Sequence, residues 1–140
     1  MAFQEKSAWI MSLALLVGGV FYFGVVALMS SAIGKLAPPI LPVVAVYTGI
    51  LVLIAIVGHI VAAVLAPRDA GAPVDERDRA VTTRAGHRSG YVFGAGVILS
   101  LGFYLFSYDG DVLFYGVFAS LMISQLVEYG TQIYLYRTTV

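Results

Sequence analysis

The chain has 140 residues, 60% of them hydrophobic and 11% charged, and its eight basic and eight acidic side chains balance to a formal charge of zero. Mean hydropathy is +0.92; a soluble domain carries roughly a quarter charged residues, so this composition excludes a water-solvated surface. Zero net charge gives no global field to draw in a polyanion, so direct nucleic-acid binding is not expected, and the absence of cysteine removes disulfides, thiol catalysis and thiolate metal ligation.

Four stretches meet the length of a membrane-crossing helix, about 20 mostly apolar residues. The first spans about 7–29 with no charge inside it, and lacks a small-residue cleavage site after it, so it reads as a retained span. The second spans about 40–66; Pro38, Pro39 and Pro42 mark its start and Pro67 its end, because proline is tolerated in a first helical turn but not deep inside a helix. A loop over 67–90 follows. In it, Asp75 is placed to cap a short helix that carries Glu76, Arg77, Asp78 and Arg79 and continues into the third span, about 91–108. Asp109-Gly110-Asp111 reads as a tight turn into the fourth span, about 112–136. The fold class expected is an all-α membrane protein, one domain of four transmembrane helices, built as a duplicated helical hairpin.

Basic residues set the orientation. Lys6, Arg68, Arg77, Arg79, Arg84, Arg88 and Arg137 fall on one side and Lys35 alone on the other, which predicts both termini and the 67–90 loop in the cytoplasm of a bacterial inner membrane. Trp9, Tyr91, Tyr134 and Tyr136 sit at that side of the spans, where amphipathic rings favour the interface. The duplication rests on two offsets. Lys6-Ser7-Ala8-Trp9 matches Arg88-Ser89-Gly90-Tyr91, and Phe21-Tyr22 matches Phe103-Tyr104, both at an offset of 82. In the second helix of each half, Arg68 matches Arg137 and His59 matches Glu128 at an offset of 69. Hairpins so related form a parallel repeat about an axis along the membrane normal.

Glu128 is the most informative residue. It lies nine positions before Arg137, roughly 13 Å into the span at 1.5 Å per residue, where an ionisable group is costly unless paired, hydrated or protonated. Gly116, Ser120, Ser124, Glu128 and Gln132 recur every four residues and form one stripe, flanked by Gln125 and Thr131; it should face other helices, a subunit or water. His59 lies nine residues before Arg68, which predicts the same depth as Glu128 and contact between the two. Two readings stand for these groups, packing hydrogen bonds or an ion or proton role. A metal or haem site is not expected with only His59 and His87 available, and no cofactor is expected. Gly58 with Ala62, and Gly90 with Gly94, are small-residue steps that suit close helix approach.

An Asp-Glu-Arg-Asp-Arg segment (Asp75 to Arg79) before the third of four spans, with Glu128 in the fourth and a terminal Tyr136-Arg137, resembles a group of small bacterial inner-membrane proteins of unassigned function. The resemblance covers most of the chain through short motifs. It implies, from members thought to accompany a small helix-turn-helix regulator, a membrane partner for a cytoplasmic regulatory protein; it carries over no catalytic residues.

Three functions follow as expectations. The first is a membrane-embedded regulatory or adaptor protein that engages a cytoplasmic partner or anionic lipid through 75–88, with Arg77, Arg79, Arg84 and Arg88 as the contact residues. The second is a small oligomeric transporter or channel, at least a homodimer, using the span-four stripe (Ser120, Ser124, Gln125, Glu128, Gln132) and His59. The third is an accessory subunit of a larger membrane complex. An enzyme is not expected: no paired acids, nucleophile–base set or metal motif is present.

Overall fold

The computed structural model describes residues 3–71 and 73–138. These form five helices, α1 (Phe3–Ile33), α2 (Leu41–Leu65), the single turn α3 (Pro67–Ala70), α4 (Glu76–Ser107) and α5 (Gly110–Thr138), with no strand among the described residues. The four long helices are each long and apolar enough to cross a membrane. The chain is an all-α, multi-pass membrane protein.

The ends of the helices follow local chemistry. Gly34 at φ 71° takes the left-handed backbone that stops α1. Pro42 sits in the first turn of α2, where a missing N–H costs nothing, and the Ala66 N–H closes the far end on the Ala62 carbonyl. The Asp75 carboxylate accepts from the Asp78 N–H at 2.7 Å, as the sequence predicts for a cap. Tyr108 ends α4 in the left-handed region, φ 51°, and the Asp109 carboxylate accepts from the Asp111 and Val112 N–H groups at 2.9 and 3.2 Å to begin α5. Most of the sequence-predicted 67–90 loop is therefore helix. From Glu76 onward it is the first part of α4, 32 residues without a break and roughly 48 Å long.

Packing runs in the order α2, α1, α5, α4: α1 lies on α2, α5 on α1 and α4 on α5. Lipid is as apolar as leucine, so helices in a bilayer associate through close packing and polar contacts rather than through hydrophobic burial. The α4·α5 seam does this with small residues. A Cβ on Gly96 would overlap the Ser120 side chain, and one on Gly116 would overlap Ser100. The glycine step expected to pack, Gly90 and Gly94, instead faces open space; the close approach is made two residues on, at Gly96.

The three-helix junction uses aromatic rings instead. Tyr22, 1% exposed, lies 4.6 Å from Phe118 and 5.6 Å from Tyr47 between ring centres, and Tyr47 and Phe118 are 5.2 Å apart. Val26 and Met122 complete this cluster. The Tyr115 hydroxyl then donates to the Ala37 carbonyl at 2.8 Å, and the Ser30 hydroxyl accepts from the Ala37 N–H at 2.9 Å, which pins the 34–40 loop against the bundle.

Candidate functional site

Three polar groupings stand out, and two are hydrogen-bonded pairs. In the first hairpin, His59 on α2 is half-buried. Its Nδ1 donates to the Ala55 carbonyl at 2.6 Å, which leaves Nε2 to accept from the Ser7 hydroxyl on α1 at 2.8 Å. The Phe3 ring meets the imidazole edge-on at 6.5 Å. In the second hairpin, Ser89 on α4 donates to Glu128 Oε2 on α5 at 3.1 Å and shares its hydroxyl with the Gly86 carbonyl.

His59 and Glu128 do not form the pair expected from sequence. Each bonds to the neighbouring helix of its own hairpin, and they stand at different levels. Ser7, opposite His59, is two residues from Glu5, and Glu5 meets Arg137 of α5 at 3.3 Å. Glu128 lies nine residues along α5 from that contact, so the two sites are roughly 10 Å apart along the bundle. Close packing of Gly19 against Met122 fixes the same register of α1 on α5.

The span-four stripe does face another helix. Ser120, Ser124 and Gln132 are buried, Ser124 to 2% exposure, while Gln125, Glu128 and Thr131 are half-buried. The hydroxyls of Ser120 and Ser124 donate to Gly116 and Leu121 carbonyls of their own helix. The stripe thus serves as the small, self-bonded surface on which α4 rests, with Glu128 as its one ionisable group.

The third grouping is at the basic end. Arg137 stacks over Trp9 at 5.4 Å while its Nε donates to Glu5. Tyr136 donates to Asp78 at 2.8 Å, and Arg77 donates to the Tyr136 carbonyl at 3.2 Å. The first turns of α4 are therefore clamped to the last turn of α5. Arg79, Arg84 and Arg88 are exposed along that helix, and among the described residues no group of three or more potential metal ligands occurs.

Sequence reasoning missed Ser7 and Ser89, although the offset of 82 already aligns one with the other. It also missed Glu5 and the Tyr136–Asp78 clamp, contacts between residues some 60 to 130 positions apart; the 75–79 and 136–137 segments stand out in the sequence, but the contact between them does not. Comparison with protein families, with curated proteins and with solved structures finds no match for the chain.

Proposed function

We propose that the chain is a membrane-embedded adaptor of the bacterial inner membrane that holds the amino-terminal extension of α4 as a rigid docking helix for a cytoplasmic protein. One observation carries this reading. The start of α4 is not a loose linker but a capped helix, clamped to α5 through Asp78, Tyr136 and Arg77, with Arg79 left exposed near its beginning. A pre-ordered helix loses little conformational entropy when a partner binds. The positive-inside bias supports both termini and this extension in the cytoplasm.

The duplication reading draws support from paired positions. The offsets 82 and 69 carry Ser7 and His59 onto Ser89 and Glu128, and both pairs bond; they also carry Gly18 and Tyr47 onto Ser100 and Gly116, and both pairs touch. On this reading the second hairpin is displaced along the helix axes relative to the first. The transporter alternative loses support from the same geometry, because the stripe serines bond their own backbone and face α4 rather than a passage.

The test is a mild-detergent pull-down from native membranes with the full chain, alongside the Arg79→Glu variant. A soluble protein recovered with the parent chain and lost from the variant is the expected result. Recovery of only self-copies and lipid from both would reject the adaptor in favour of the transporter. Reporter fusions at Val140 and after Pro73 should read cytoplasmic and one at Gly110 external; an external signal at Val140 rejects the topology.

A further inference from the structure

The contacts at the basic end place four helices on one level. Lys6 shares a groove with Ala62 and Leu65 of α2, Glu5 meets Arg137 of α5, and Tyr136 meets Asp78 of α4. Asp78 of α4 is thus level with the last turn of α2. Arg84, His87 and Arg88 lie six to ten residues further in, roughly 9–15 Å. At that level α2 carries exposed Val52, Leu53, Ile56, Val57 and Ile60. Arg84 and Arg88 thus stand at a level where the opposite flank of the bundle still turns apolar side chains outward.

The outward face of α4 at this level has one composition. Arg84, His87, Arg88 and Tyr91 fall at i, i+3, i+4 and i+7 and are all exposed, Tyr91 to 78%, while Val81, Ala85 and Ser89 on the adjoining face are buried toward α5. The His87 Nδ1 donates to the Thr83 carbonyl at 2.9 Å, which aims Nε2 outward. A shallow groove between Thr83, Gly86, His87, Gly90 and Tyr91 runs beside this row. Long arginine stems lie along apolar surface and carry their charge to the headgroups, and tyrosine settles at the same boundary.

We infer that Arg84, His87, Arg88 and Tyr91 form a binding site for the phosphate of an anionic phospholipid of the inner leaflet, with the lipid's upper chain against Gly90 and Tyr91. Two arginines one turn apart offer donors to both non-bridging oxygens of a phosphodiester and exceed its single negative charge, and depth decides for a lipid: a cytoplasmic polypeptide would have to enter the headgroup layer to reach Arg88. Arg79 lies on another side of α4, nearer its start, and has no part in the site.

The experiment uses the full chain in vesicles holding no other protein, so its outcome is independent of the adaptor reading. Trp9 is the single tryptophan; Trp9→Phe with Tyr91→Trp moves the fluorophore to position 91. In mixed vesicles, brominated phosphatidylglycerol should quench it more than brominated phosphatidylcholine. Arg84→Gln and Arg88→Gln should each lower that preference by about fivefold, the usual weight of one basic residue at an anionic leaflet. Arg79→Gln should leave it unchanged, and Arg84→Lys with Arg88→Lys, which keeps the charge, should retain most of it. Equal quenching by both lipids, quenching by neither, or a preference indifferent to both glutamine changes would overturn the site. Loss of the preference on adding excess inorganic phosphate would overturn the lipid as occupant and assign the site to a free anion.

Discussion

The two hairpins share a register and hold together by opposite means. The α1·α2 hairpin sets a large residue against glycine, Tyr47 on Gly18 and Ile10 on Gly58, and hands its aromatic side to Phe118 of α5. The α4·α5 hairpin sets small against small, Ser120 on Gly96 and Ser100 on Gly116. A ring in a glycine notch resists sliding but leaves grooves beside it; two small faces bring backbones close and make a flat, extensive seam. The difference assigns roles. The first hairpin is anchored by side chains at its aromatic end, whereas the second is a stiff two-helix arm whose far end carries the basic extension.

The largest effect that would break this contrast is at the aromatic hub. Tyr22→Ala removes a ring that three helices share and should cost on the order of 3 kcal/mol in a reversible unfolding measurement in mixed micelles. A loss below about 1 kcal/mol, the worth of a single aromatic pair, would mean the rings merely fill space. Next comes the small-residue seam. Gly96→Leu should lower stability by about 2 kcal/mol through overpacking against Ser120, while Gly94→Leu, two residues away and facing open space, should cost little. Similar losses at both positions would show that the seam has no privileged contact.

The smallest effects separate the two polar pairs. Ser7→Ala combined with His59→Gln, and Ser89→Ala combined with Glu128→Gln, should each show coupling of roughly 0.6 kcal/mol, the scale of hydrogen bonds between membrane helices. His59→Gln combined with Glu128→Gln should instead be additive within about 0.5 kcal/mol, because no contact joins them. Coupling across the hairpins larger than within them would reverse the assignment of partners. Tyr136→Phe, which deletes the bond to Asp78, should leave the midpoint of global unfolding nearly unchanged yet raise amide exchange over residues 76–83, since local opening reports the clamp directly.

The spans were legible because hydropathy over twenty residues is a property of the residues themselves, and the caps at Asp75 and Pro42 because they act within one turn. The stripe on α5 was legible as a packed face for the same reason. Depth was not. Counting nine residues back from Arg68 places His59 as deep as Glu128 only if helix α2 runs on to Arg68. It ends at Leu65, and the chain turns at Pro67 into α3, so the count overstates the distance. The axial offset between hairpins is likewise set by Gly19 on Met122 and Glu5 on Arg137, contacts between sequence-distant helices that no periodicity encodes. The glycine step at Gly90 and Gly94, read first as packing within the chain and second as a dimer contact, meets no neighbour within the chain, because spacing identifies a smooth face without saying what lies on it.

The level of α4 against α2 has a mechanical consequence. Apolar surface reaches farther toward the basic end on the α2 flank than on the α4 flank, so the girdle that matches hydrocarbon is cut at a slant. A slanted girdle can be levelled only by inclining the whole bundle, and the inclination that fits best depends on bilayer thickness, since helices meet a mismatch by leaning. Thicker lipid should stand the bundle more upright and thinner lipid lay it over, and the exposed end of α4 should incline with the bundle.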